Sequence, residues 1–531
     1  MSCRARTAYD AWPSLDRDSG ADSLPLESID RAKHALANLF RTRSMPLRPH
    51  SRAAPRRRTV LGGVASLVAL AVLPLGALDA QRPASQTLQV PVEYQKLSNG
   101  LKVVMSPDPT TPTAVVAVYY NIGFRNEPKD RTGFAHLFEH MMFQGSQNLG
   151  KMEFIKLVES NGGTLNGSTR FDFTNYFQII PSHKLETILW AEATIGGSVL
   201  SERAADFVRL IADVTQNPRF PESELPRIKA ARVRQVVIAK SQPQPLAQER
   251  FYQVLYGDHA LGRLYPTEQM LNGYTVDQIR AFHAKNFGAA RAHLYVAGVY
   301  DAAAVEKAIR ESFGSWAKGP DPVTNVPKPK SGRRVELIDR PNAVQSTLVI
   351  GLPVPGASHA DYTALSVTDA LIGGAFGSRI TTNIREQKGY TYSPYSTITT
   401  HYGDAFWGEF ADVTTNVTGP SLKEIFGEID RLRKEPPPAT ELRGIQNNMA
   451  GIFTLQNASR GGVVGQLQFV DLHGLPDSFL TEYVKRVMAV SPADVQRVMR
   501  TYLRPENMTI VVVGDKKVIE EQVKPYSTYV P

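Results

Sequence analysis

Thr275–Gly298 (TVDQIRAFHAKNFGAARAHLYVAG) aligns without a gap on Ser491–Gly514 (SPADVQRVMRTYLRPENMTIVVVG), at a constant offset of 216 residues. Each copy opens on a helix-capping Thr or Ser, continues with apolar residues at helical spacing, and ends in a β run closed by glycine. A unit recurring in this form within 531 residues constrains the chain to two homologous domains of roughly 200 residues each, an ordinary domain size. The proline-rich stretch 319–330 (GPDPVTNVPKPK) is the best linker between them. The organisation that follows is a leader over 1–80, an N-terminal domain over 85–318, a linker over 319–333 and a C-terminal domain over 334–531.

Local patterning makes the fold class α+β. Alternation over Thr87–Leu97, an Asn99-Gly100 turn and the return Leu101–Met105 predict a hairpin, and Thr113–Tyr120 reads as a third strand. Helical periodicity covers 132–144, 151–160, 184–193, 203–214 and 222–252. The expected architecture is two α/β sandwiches, each a sheet covered by helices.

The formal charge is +9, but residues 1–80 carry twelve Lys/Arg against seven Asp/Glu, which leaves +4 for the rest of the chain. That is too little to argue for a nucleic-acid partner. Arg56, Arg57 and Arg58 precede an uncharged apolar run, Val60 to Leu78, followed by Asp79, Ala80 and Gln81. This is the pattern of a secretory signal cleaved near Ala80, with Met45 as a later start, and it predicts an exported, periplasmic body. An uncleaved membrane anchor is the alternative reading of the same run. Cys3 is the single cysteine, which excludes disulfides, cysteine-ligated zinc and a cysteine nucleophile downstream of it.

His136, Glu139 and His140 lie in GFAHLFEHMMFQGS, an H-x-x-E-H sequence in a helical stretch. Histidines at i and i+4 project from one helix face, where both imidazoles can reach one Zn²⁺. Glu139 on that face is placed to take a proton from metal-bound water. The plain alternative is a helix that happens to contain two histidines.

The motif and its surroundings, LSNGLKVVMSPDP, VYYNIGFRNEPKDRTGFAHLFEHMMFQGS and NGGTLNGSTRFDFTNYF, together resemble the pitrilysin/insulinase family of zinc peptidases. That group includes mitochondrial processing peptidase and bacterial periplasmic relatives, and the resemblance runs from about residue 90 to the C-terminus. It implies an exported zinc metalloendopeptidase that hydrolyses unfolded peptides in a clamshell chamber. In that reading His136 and His140 are zinc ligands and Glu139 is the general base. Asn166, in GGTLNGSTR, would lie on an edge strand where a peptide adds as a further strand. NIREQKGYTYSPYS resembles the family segment that offers an arginine and a tyrosine to substrate or transition state, so Arg385 and Tyr390 take those places. The facing residues come from a second subunit, which implies a homodimer, or a heterodimer with a homologous subunit.

One feature departs from the family pattern. The third zinc ligand is a glutamate on a helix, roughly 75 residues after the second histidine, yet residues 214–218 are Val-Thr-Gln-Asn-Pro. Anchoring on YGDHALGR (256–263) moves the ligand position to Gln235, whose neutral amide is a poor substitute for a carboxylate. Glu192, Glu202, Glu222, Glu224 and Glu249 are candidates by count alone. Thr174–Ala193 and Thr194–Asp213 repeat a strand-then-helix pattern at an offset of 20 residues, which accounts for the surplus length. This predicts a chain that joins the start of a metal-bearing subunit to the body of a metal-less partner, with a natural insertion as the alternative. The rival function is therefore a silent partner that completes another subunit's chamber. Gly373, Gly374 and Gly377 lack the spacing of a phosphate loop and read as turn or packing glycines.

Overall fold

The computed structural model describes residues 90–110, 112–181 and 203–528. The leader, the predicted helix over 184–193 and the seam at 190–200 lie outside these residues. Among the described residues no helix is long and apolar enough to cross a membrane.

The N-terminal half builds one sheet from β1 (Glu93–Lys96), β2 (Lys102–Pro107), β3 (Thr113–Tyr120), β4 (Thr164–Thr169), β5 (Thr174–Pro181) and β6 (Ala292–Gly298), in the order β1-β2-β6-β3-β5-β4. The C-terminal half builds a second sheet from β7 (Arg334–Asp339), β8 (Gln345–Val354), β9 (Tyr395–His401), β10 (Asp404–Thr414) and β11 (Thr509–Gly514), in the order β7-β11-β8-β10-β9. Apart from β1 the two sheets share one topology. β2 runs parallel to β6 as β7 does to β11, and the other neighbours are antiparallel.

The helices follow from the same periodicities. They include α1 (Phe134–Met142), α2 (Glu153–Ser160), α3 (Arg203–Gln216), α4 (Leu225–Ser241), α5 (Pro243–Tyr256), α6 (Val276–Asn286) and α7 (Ala302–Phe313) in the first half. The second half adds α8 (Tyr362–Asp369), α9 (Thr418–Lys434), α10 (Ala439–Asn457), α11 (Arg460–His473) and α12 (Pro492–Thr501). Thr275 caps α6 and Ser491 caps α12, each in a capping box, so the 216-residue repeat is the capped helix and strand that complete each sheet. The helix expected over 222–252 is two helices. Pro243 has no N–H to donate and drives Gln242 to φ −97°, ψ 142°, which ends α4 and starts α5 at a new angle.

Several strands read as nearly unbroken apolar runs because both of their faces are buried. In β3, Ala114, Val116, Val118 and Tyr120 enter the core of the first half, while Val115 and Ala117 face Val463, Val464 and Leu467 of α11. In β11, Ile510 and Val512 enter the second core, while Val511 and Val513 face Phe251, Tyr252 and Leu255 of α5. Each half thus lends a helix to the outer face of the other half's sheet. Each large apolar side chain so buried stabilises the joint by about 2 kcal/mol. The halves of one chain are interlocked, and the described residues form one compact unit.

No helix or strand interrupts residues 314–333 between α7 and β7. Polar contacts hold this stretch. Arg125 Nη1 donates to the carbonyls of Val323 and Asn325 at 3.1 and 3.2 Å, and Arg291 Nε donates to that of Asp321 at 2.8 Å.

Candidate active site

α1 begins where a left-handed residue turns the chain into it. Gly133 sits at φ 78°, and a Cβ there would stand 2.9 Å from Cγ of Pro266. The first amides of a helix have no intrahelical partner, and Glu127 supplies one to two of them. Its carboxylate accepts from Gly133 N at 2.8 Å and Ala135 N at 2.7 Å. Burial pushes the Glu127 carboxyl up to about 8, against those two bonds and the charges of Arg263 and Arg232. Phe134, Leu137, Phe138 and Met141 anchor α1 in the core, which leaves His136, Glu139 and His140 together on another side of the helix.

The two imidazoles stack at 16° between ring planes, and their Nε2 atoms are 3.2 Å apart. Burial, then the charge of Arg232, holds His136 well below its usual range and His140 down at about 4, so both rings are neutral at neutral pH. Glu139 is buried. Its Oε2 accepts from Thr169 Oγ1 on β4 at 3.3 Å and lies 3.7 Å from His136 Nε2. Burial raises the Glu139 carboxyl to about 7, although Thr169, Arg232 and Arg170 act against the rise.

Two nitrogens on one tetrahedral zinc, each at about 2.0–2.1 Å, stand about 3.4 Å apart. The neutral pair His136 and His140 fits that donor geometry. A third donor does not join them: among the described residues no group of three His, Cys, Asp or Glu side chains is arranged to hold a metal. Glu224 pairs instead with Lys151 and Arg227, Glu249 pairs with Lys240, and Glu222 is exposed. Glu192 and Glu202 lie outside the described residues.

Gln235 Oε1 accepts from Arg232 Nη1 at 2.5 Å, and it is Arg232, buried one turn earlier on α4, whose charge bears on His136, His140 and Glu139. Nothing in the sequence singled out Arg232. Its signal is a lone arginine on the buried face of α4, with Ile228, Val236 and Ala239.

Asn166 lies on β4, the last strand of its sheet, paired with Phe177, and its Oδ1 accepts from Gly167 N at 2.9 Å. Arg385 is in the second half, on the helical turn Thr381–Gln387. The aromatic ring over its guanidinium is Tyr392, at 5.1 Å, together with Phe376 at 4.3 Å. Tyr390, the tyrosine expected to accompany Arg385, is half-buried and belongs to the closing turn, where its N–H donates to Ile384 O at 2.8 Å. The run Gly389-Tyr-Thr-Tyr392 offers two tyrosines, and sequence spacing had no means of choosing between them.

Residues 102–266 match the family described as Insulinase (Peptidase family M16), and residues 273–449 match Peptidase M16 inactive domain. The chain belongs to peptidase family M16. Among the relatives of this M16 chain, an uncharacterized zinc protease of Streptomyces coelicolor is 23% identical over 437 residues, covering 80% of this chain and 91% of the relative. Two solved structures show the same fold. A protease from Helicobacter pylori gives a TM-score of 0.71 at 23% identity, covering 80% of this chain and 100% of that one. A peptidase M16 inactive domain from Pseudomonas fluorescens gives 0.71 at 22%, covering 80% and 98%.

Proposed function

We propose that this M16 chain is a zinc-dependent endopeptidase subunit, exported from the cytoplasm, that hydrolyses extended peptides in a chamber completed by a second subunit. The observation that carries this reading is the pair of histidine nitrogens 3.2 Å apart, with Glu139 on the same helix face. The export reading is supported by the signal-like leader, and the dimer by the family resemblance. Zinc supplies Lewis acidity, polarising a carbonyl and letting water lose a proton near neutral pH. His136 and His140 would hold it. Glu139 takes the proton of the attacking water and returns it to the departing amide nitrogen, a task suited to a carboxyl raised to about 7. The peptide adds to the edge of β4 as a further strand, and Asn166 marks that edge. Arg385, from the facing subunit, meets the peptide carbonyls.

A second reading has its own observation. The positive charge of the buried Arg232 bears on both histidines, where an anionic ligand would be needed, and favours a silent partner that contributes binding to an active subunit. Cleavage of a quenched fluorescent peptide by the full-length chain, with and without a chelator and then with zinc restored, tests the two. Chelator-sensitive, zinc-restored cleavage supports the peptidase. Cleavage that appears only on mixing with a homologous subunit supports the silent partner.

A further inference from the structure

Arg170 and Arg227 approach the histidine pair from two different elements. Arg170 opens the turn between β4 and β5, directly after Thr169, whose Oγ1 donates to Glu139 Oε2 at 3.3 Å. Its backbone is fixed on both sides: the N–H donates to Phe173 O at 2.7 Å, and the carbonyl accepts from Phe124 N at 3.0 Å. Gly123 permits that approach, since a Cβ there would stand 2.2 Å from Arg170 O. Arg170 is exposed, and its charge bears on His136 and Glu139. Arg227 lies on the first turn of α4, with 53% of its side chain exposed. Its Nη2 donates to Gln144 Oε1 at 3.4 Å, Gln144 Nε2 donates to His140 O at 2.9 Å, and the Arg227 charge bears on His140. Glu224 accepts from Arg227 Nε at 3.1 Å and from Lys151 Nζ at 2.6 Å, so one carboxylate is shared between two cations. The buried Arg232 adds a further positive charge that bears on both histidines.

We infer that Arg170 and Arg227 form a cationic rim to the histidine face and select peptides with acidic side chains flanking the residue bound there. The inference rests on the peptide-handling role proposed above, and it names the substrate class. Residues i and i+4 of a helix are about 6 Å apart along its axis, and an extended peptide advances about 3.3 Å per residue. A strand passing the pair therefore carries side chains a few residues apart past both arginines. The β4 edge ends at Thr169, so a peptide paired along that edge runs out beside Arg170. A site ringed by one sign of charge draws in ligands of the other sign. Arginine suits the task, because its planar fork donates two parallel hydrogen bonds to a carboxylate.

Binding is measured by fluorescence anisotropy on the full-length chain carrying Glu139→Gln, so that hydrolysis plays no part. Three labelled peptides share one length and one apolar centre, flanked by a pair of Glu, Gln or Lys residues. The Glu peptide binds about fivefold more tightly than the Gln peptide, as two half-exposed ion pairs allow, and the Lys peptide binds more weakly than either. Raising the salt from about 0.05 to about 0.5 M shrinks the difference. Arg170→Gln with Arg227→Gln makes the Glu and Gln peptides equal, while Arg170→Lys with Arg227→Lys retains the preference. Arg310→Gln, at an exposed position on α7, changes the net charge and leaves the preference as it was. Equal affinity for the three peptides overturns the inference, as does a preference for the Lys peptide. A preference that survives the double Gln variant, or that Arg310→Gln reduces as much, also overturns it. Failure to bind any of the three peptides overturns the peptide-handling role itself, and is distinguishable from loss of the preference alone.

Discussion

Arg232 Nη1 donates to Gln235 Oε1 at 2.5 Å, so the side chain that sequence spacing sets at the third-ligand position is held by a buried cation. Restoring a carboxylate at that position is therefore not enough to restore a ligand. Glu at 235 would pair with Arg232, and Gln235→Glu leaves zinc affinity within about threefold of the parent. Adding Arg232→Met removes the cation, and the double variant binds zinc at least about tenfold more tightly, as read by competition with a chromogenic chelator.

Glu127 ties the start of α1 to the body of the domain through Gly133 N and Ala135 N. Glu127→Ala leaves both buried amides without that acceptor and lowers stability by about 2 kcal/mol in urea titration. Glu127→Gln retains one acceptor oxygen and loses less.

Arg125 joins the halves. Its Nε donates to Asp172 Oδ1 at 2.9 Å, its Nη1 to two linker carbonyls, and its guanidinium lies 4.6 Å from the Tyr402 ring centroid. Asp172 also faces His401 Nδ1 at 3.4 Å. Arg125→Ala strips the buried Asp172 carboxylate of its guanidinium partner and costs about 3 kcal/mol. Limited proteolysis then cuts residues 319–330 faster than in the parent chain.

Stability is also expected to depend on pH through a buried acid pair in the second half. Asp369, at the end of α8, accepts from Ser396 Oγ at 2.6 Å and Trp407 Nε1 at 2.9 Å, and burial raises its carboxyl to about 6 despite both bonds. Glu409 nearby is raised well above its usual range by burial and by Asp369, and its two oxygens find no hydrogen-bond partner among the described residues. Gly373 and Gly374 make room for this pair, since a Cβ would meet Glu409 Oε2 at 2.7 Å or Asp369 Oδ2 at 2.9 Å. An acid whose folded value is raised stabilises fully below its unfolded value and loses that contribution as pH climbs through the folded one. For Asp369 the window runs from 3.8 to about 6. Asp369→Asn flattens the fall in urea midpoint between about pH 4 and about pH 7, and Glu409→Gln raises the midpoint at the upper end.

Much of the scaffold was legible because it is local. The β3 run, the Asn99-Gly100 turn and the capped helices at Thr275 and Ser491 depend on residues a few positions apart, and so does the i, i+4 pairing of His136 with His140. What was not legible is long-range. α5 covering the other half's sheet requires Phe251 to meet Val511, and no periodicity within either segment encodes that meeting. The same holds for Arg232, whose charge bears on the histidines only through the packing of α4 near α1, and for Tyr392, which the turn at Gly389 brings back over Arg385. The break at Gln242 could have been read from Pro243, and the apolar period on both sides of it concealed the break.

The most direct test of the account is a zinc titration of the full-length chain, run beside peptide cleavage, for the parent, His140→Ala and Glu139→Gln. The parent should bind one zinc and cleave; His140→Ala should lose both. Glu139→Gln should keep the zinc and lose cleavage by about 10²–10⁴-fold. Zinc binding indifferent to His140, or cleavage indifferent to Glu139, would contradict it.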